Sequence, residues 1–148
     1  MDFNVDIEKM FDLKKVKFDF SKTLNEFAKN VVKDHRRRLQ FGQGVDMKPM
    51  KKLTPLTIAD KRAKNYKKPR VPLFATGTMS NIRIDKKASP SSQEAILKPA
   101  KRRQEIGAYH QSDSKRPPKR EWFGVTVKQE KKGVQMMIEK IDKVLKNA

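Results

Sequence analysis

Apolar side chains recur at helical spacing in two long stretches, one on each side of a region of strict alternation. In the first, Leu24, Phe27, Ala28, Val31, Val32, His35 and Leu39 follow steps of three and four, while Lys22, Lys29, Lys33 and Arg36–Arg38 fall mostly off the stripe. Ser21 is placed to cap this helix, the arginines sit in its last turns where they favour its dipole, and Gly42 and Gly44 end it. The second stripe, Val134, Met137, Ile138, Ile141, Val144 and Leu145, runs to the C-terminus. Thr126 followed three residues later by Gln129 forms its capping box. Gly133 weakens it by about 1 kcal/mol relative to alanine.

Between these helices the period drops to two. Asn81–Asp85 alternates and is β-branched, Ser89–Ser92 is a turn signal, and Glu94–Lys98 is a return strand, so the pair reads as a hairpin or as neighbouring strands. Thr54-Pro55 marks an N-cap with proline at the first helical position, predicting a short helix through about Asn65. At the front, Val16, Phe18 and Phe20 alternate like a half-buried strand, and Ile7, Met10 and Phe11 fit one helical turn. Residues 1–20 therefore read as an arm or edge strand, either docking on a neighbouring subunit or completing the chain's own sheet. Residues 21–148 read as one domain of α+β class, a small antiparallel sheet packed against an N-terminal and a C-terminal helix, with extended loops and no internal repeat.

Composition sharpens this. In 148 residues, 36 Lys and Arg face 17 Asp and Glu, a formal net charge of +19, with 36% hydrophobic residues. Such an excess asks for a polyanionic partner or for neighbouring subunits that neutralise it. The absence of cysteine excludes disulfides, thiolate metal sites and thiol nucleophiles. No apolar run approaches the roughly 20 residues of a membrane span, and the N-terminus has no signal-peptide pattern, so the expectation is a soluble chain kept in the cytoplasm, with no membrane partner.

The densest chemistry lies in Gly107–Gly124. Tyr109-His110-Gln111 leads into a basic loop, Ser112–Lys119, in which Pro117 and Pro118 forbid a helix interior or a central strand. Arg120-Glu121-Trp122-Phe123-Gly124 follows, with an aromatic pair too large to leave in water. Lys101–Arg120 holds seven Lys and Arg against Glu105 and Asp113. Lys61–Lys64 and Lys67–Arg70 form another basic run, readable as a nucleic-acid patch or as a solvated helix face. His110 is the best catalytic candidate, but it lacks a nucleophile motif or a second histidine near it in sequence; His35, beside the apolar stripe, reads as packing. No phosphate-cradling glycine loop occurs, and no nucleic-acid reading motif accompanies the charge. The expectation is no enzyme, no cofactor, no metal and no catalytic residue.

Four marks in order carry a resemblance. They are Leu53-Thr54-Pro55-Leu56-Thr57 at a helix start, Leu73-Phe74-Ala75-Thr76-Gly77-Thr78-Met79 before a strand, Ala108-Tyr109-His110-Gln111, and Pro118-Lys119-Arg120-Glu121-Trp122-Phe123-Gly124 leading into the last helix. From Leu53 onward the chain resembles the phage virion morphogenesis proteins, the Mu-like tail-completion family, and more loosely the head–tail joining proteins of long-tailed phages. It departs from them at Met50, where an aromatic is usual, and at Ser112, where glycine often follows. The resemblance implies a structural virion protein at the neck or top of the tail, assembled in the host cytoplasm as a homo-oligomeric ring. Its partners would be the head connector or neck proteins and the tail terminator, tube or sheath proteins, with non-specific contact to DNA in the lumen. The interaction residues implied are Thr76, Gly77, Tyr109, His110, Gln111, Lys115, Arg116, Lys119, Arg120, Trp122, Phe123 and Gly124. The alternative from charge alone is a small basic protein that binds nucleic acid without sequence preference.

Overall fold

The computed structural model describes residues 17–100, 108, 110 and 119–147. Expectations for residues 1–16, for 101–107, for Tyr109, and for 111–118 with Gln111, Lys115 and Arg116 lie outside the described residues.

Helix α1, Ser21–Gln40, follows the first apolar stripe, with Ala28, Val31, His35 and Leu39 buried. Its cap differs from expectation. Phe20 is the N-cap, Ser21 is already helical, and Asp19 Oδ1 accepts the Ser21 N–H at 2.9 Å. A carboxylate two residues earlier suits the helix dipole better than a neutral hydroxyl, and the hydrogen bonds from Ser21 hold Asp19 below the ordinary aspartate range. At the other end Gly42, at φ +67°, donates to Leu39 O (3.1 Å) while Gln43 donates to Arg38 O (3.0 Å). This paired arrangement satisfies the last carbonyls and stops the helix where the glycines predict.

Helix α2, Pro55–Ala63, starts as its Thr-Pro signature demands, the Thr54 hydroxyl accepting from Thr57 N–H. It stops before Asn65, which takes φ +56° while Asn65 N–H bonds Arg62 O and Tyr66 N–H bonds Lys61 O. An irregular connection, residues 64–77, then leads to the 3-10 turn Thr78–Ser80 and into the hairpin β1, Ile82–Lys86, and β2, Ile96–Pro99.

The strands are antiparallel, with Ile82 opposite Pro99 and Ile84 opposite Leu97, and the register slips between Ile84 and Lys86. That bulge leaves the Asp85 carboxylate beside Lys98 Nζ at 2.7 Å. The return strand starts later than Glu94 because Glu94 N–H is taken by Ser92 O at 2.8 Å, which prolongs the turn. Asn25 of α1 clamps this end, its side-chain amide giving Nδ2–H to Ala88 O (2.9 Å) and taking Ala88 N–H on Oδ1 (2.8 Å).

Residues 17–20 are not a strand. Their alternation is nonetheless real: Phe18 and Phe20 point the same way, rings stacked at 6.0 Å. The ladder partner is a side chain, since Gln93 donates to Phe18 O (2.8 Å) and accepts Phe20 N–H (2.9 Å).

Helix α3, Val127–Lys146, opens with the complete capping box between Thr126 and Gln129. Gln129 also donates to Asp34 Oδ2 at 3.1 Å, fixing the start of α3 to α1. Gly133 gives no helix propensity but lets Phe27 close in, because a Cβ there would stand 2.9 Å from the Phe27 ring. The fold is thus small and α+β, with a helix toward each end and one antiparallel hairpin. Helix α1 is the shared neighbour: the 3-10 turn, both strands and α3 all pack on it.

Candidate functional site

The core of the molecule is built where two of the family-like marks meet α1. Trp122, Leu39, Met50 and Met79 form the buried cluster, with Leu73 and Phe123 against it. Met79 arrives there through the Thr76-Gly77 turn. Gly77 takes φ +84°, a conformation that costs other residues about 1 kcal/mol or more, and its carbonyl accepts the Ser80 hydroxyl at 2.6 Å and the Ser80 N–H at 3.1 Å. Thr76 stays exposed, its hydroxyl 3.1 Å from that of Thr78. Trp122 is 2% exposed and lies against Phe123, with ring centroids 5.5 Å apart and tilted by 46°. Full burial of a tryptophan removes roughly 200 Å² from water, about 5 kcal/mol at the usual coefficient.

His35 fills the space between these rings, 5.6 Å from Trp122 and 6.1 Å from Phe123. Its Nε2 lies 3.3 Å from the Met79 carbonyl oxygen, which selects the tautomer carrying hydrogen on Nε2, and Nδ1 has no hydrogen-bond partner. Burial pushes its pKa down to about 4, with the Met79 carbonyl opposing and the positive charges of Arg38 and Arg36 adding to the fall. A neutral imidazole held by one carbonyl is packing, as its place on the stripe implied.

Three cations are buried here with no carboxylate in contact among the described residues, and main-chain carbonyls accept from each, although Arg38 Nε and Nη1 find no partner. Arg38 donates from Nη2 to Trp122 O and to Gly124 O, both at 3.4 Å. Arg120 donates from Nε to Lys51 O at 3.2 Å. Lys61 donates from Nζ to Val71 O at 2.8 Å and Phe74 O at 3.0 Å. Burial lowers the pKa of all three. Arg38 ties 122–124 to α1 and Lys61 ties 71–74 to α2, while Arg120 joins two irregular segments, its own and the one at Lys51.

Two readings of the basic residues change accordingly. Of Arg36–Arg38, placed mostly off the apolar stripe by the sequence, Arg38 turns inward and Arg36 and Arg37 stay exposed. Lys61 belongs neither to a nucleic-acid patch nor to a solvated face, whereas Lys64 is an exposed partner of Asp60 at 2.8 Å. Lys68 donates to the terminal carbonyl of Gln40 at 3.1 Å and lies 5.6 Å and 5.4 Å from the rings of Phe41 and Phe74. The spacing held the signal for two of these. Arg38 stands three residues after His35 and seven after Val31, and Lys61 three after Ile58, all inward positions that charge alone disguises.

The segment Lys119–Gly124 is held on both sides. Arg120 N–H donates to His110 O at 2.6 Å, joining the two ends of the loop, and Glu121 O accepts Val45 N–H at 2.8 Å. His110 is half-buried, with Nδ1 unpartnered, and burial followed by the nearby Arg120 charge lowers its pKa. Lys119 pairs with Glu121 at 3.2 Å on the surface, a contact worth well under about 1 kcal/mol. Gly124 lies against Val45. The structure therefore gathers Arg120, Trp122, Phe123 and Gly124 beside α1 with Met79 from the Gly77 turn, ties His110 to Arg120, and leaves Thr76 and Lys119 outward. No family model, curated protein or solved structure matches the chain.

Proposed function

We propose that this chain is a structural virion protein of a tailed phage, a tail-completion or neck component that forms a ring joining the head connector to the tail. It works by assembly. The observation that carries this reading is the packing of Met79, from the Thr-Gly mark, against Trp122, from the Arg-x-Trp-Phe-Gly mark. Residues far apart in sequence and quoted for one resemblance serve one joint. A ring of identical copies uses heterologous contacts, one patch meeting a different patch, and closes around an axis. The +19 charge suits that use, because basic loops gripped at their base can be steered onto acidic surfaces of an adjoining ring. Thr76, Lys115, Arg116 and Lys119 are the interaction residues in this reading, and Arg120, Trp122 and Phe123 are the anchors.

Mass spectrometry of purified particles tests it. The chain should be present at a fixed ratio to the head connector protein, and particles complete with tails but lacking the chain would remove the proposal.

One observation favours a second reading, non-specific binding of nucleic acid. Lys29, Lys33, Arg36 and Arg37 are exposed along one side of α1. Four phosphate contacts would make log K fall with log salt at a slope near −3.6 (about −0.9 per phosphate). Absence of duplex binding by the isolated chain at low salt would end that reading.

A further inference from the structure

Helix α3 is amphipathic over its whole length, yet none of its apolar residues is buried; its one buried side chain is Gln129. Val134 and Ile138 are 55% and 46% exposed. With Met137 and with Leu24 and Phe27 of α1 they line an open apolar groove of about 590 Å³ between the two helices. Gly133 shapes its floor. A Cβ there would stand 2.9 Å from the Phe27 ring, so the glycine that weakens α3 is what lets that ring sit against it. An apolar trough on a chain this charged is a contact surface.

Shape and charge select the occupant. Along α3 the lining runs from Glu130 to Ile138, about 12 Å at the usual rise. That length seats two turns of a third helix, with anchors at i, i+3 or i+4, and i+7. The trough is concave and receives a ridge of side chains; a flat lipid surface would touch its rims and leave its floor wet. Among the described residues only Thr23 and Glu130 bring polar side chains to the lining, too few to orient a small ligand. The surroundings are positive. On α1, five exposed Lys and Arg stand against two exposed carboxylates, and α3 carries six lysines against three carboxylates. Lys131 shares the row of Val134 and Ile138, three and seven residues before them, and is exposed. Glu130 is the one carboxylate in the lining, and it is outnumbered. A second copy of α3 would set lysine against lysine, whereas an acidic segment is drawn in by both helices.

We propose that the α1–α3 groove binds an acidic amphipathic helix of a partner protein. Its apolar side chains seat on Leu24, Phe27, Val134, Met137 and Ile138, and its carboxylates meet Lys131 and the other cations beside the groove. The site is made by the two helices alone and stands whether or not the chain is a virion protein.

Fluorescence anisotropy on the full-length chain tests this with two labelled peptides of about 18 residues, long enough to form helix. Both carry leucine at every third or fourth position; glutamate fills the flanks of one and lysine those of the other. The glutamate peptide should bind one per chain, at least about tenfold more tightly than the lysine peptide. Ile138→Asp should weaken it about tenfold or more, since the substitution removes an apolar seat and adds a like charge. Val134→Asp, at another exposed groove position, should give the same result if the first variant proves misfolded by circular dichroism. Lys131→Glu should weaken the glutamate peptide and leave the lysine peptide no weaker. No binding of the glutamate peptide, equal binding of the two peptides, or binding unchanged in both aspartate variants would each overturn the proposal. So would a chain that pairs with itself through the groove in sedimentation, or anionic vesicles bound by the wild type and released by the aspartate variants.

Discussion

His35 gives the sharpest physical prediction. Its folded pKa of about 4 lies below the ordinary 6.5, so between those values the unfolded chain binds the proton that the folded chain refuses. Stability from this group is therefore complete above about pH 6.5 and is lost as pH falls toward 4. At one proton the loss cannot exceed about 1.4 kcal/mol per pH unit, which amounts to about 2 kcal/mol by pH 5 and about 3.4 kcal/mol below pH 4. That is a large share of the roughly 5–15 kcal/mol that holds a domain together. The cost is physical: protonation puts a hydrogen on Nδ1, which faces no acceptor, beside Arg38, which is already positive. The perturbation is His35→Gln, which removes the titration and keeps an amide donor for Met79 O. The assay is urea unfolding across this range, followed for both proteins by far-UV circular dichroism and by emission of Trp122, the only tryptophan. His110 is also lowered and is common to both proteins, so the difference between them isolates His35. Asp19 and Asp85 lie below 3.8, outside the window. Equal pH dependence in the two proteins, or an imidazole midpoint near 6.5 by NMR, would refute the reasoning.

Three further substitutions probe the joints. Trp122→Ala should cost about 3–5 kcal/mol by chemical unfolding read with circular dichroism, since it empties the centre of the cluster; a loss under about 1 kcal/mol would mean that Trp122 does not hold the core together. Asn25→Ala strips two hydrogen bonds from the main chain of buried Ala88 and should cost about 1–3 kcal/mol, with amide exchange at Ala88 accelerating by the same free energy. Thr126→Ala should cost about 1 kcal/mol while Thr126→Ser restores most of it, as measured by the same melts.

Much of the fold was legible because its signals are local. A capping box, a Thr-Pro start and a stripe of apolar residues each act over a few residues, and Thr126, Pro55 and Val31 do what their spacing says. The hairpin was legible in kind, but its ends moved because the bulge at Asp85 and the hydrogen bond from Glu94 to Ser92 are settled by pairing, not by propensity. The cap of α1 was misread for a related reason: Ser21 and Asp19 are equally good by type, and it is Asp19 that reaches the Ser21 N–H. The candidate site was legible as an aromatic anchor and not as a network. Arg38 and Lys61 look like surface cations because the carbonyls that accept from them, at 122, 124, 71 and 74, come from elsewhere in the chain. Phe18 and Phe20 show the same limit, with a correct alternation whose ladder partner is the side chain of Gln93.

Electron microscopy of particles carrying an affinity label on this chain tests the proposed role most directly. The label should appear as a ring of density at the junction of head and tail. Label along the tail, inside the head, or on no particle at all would contradict it.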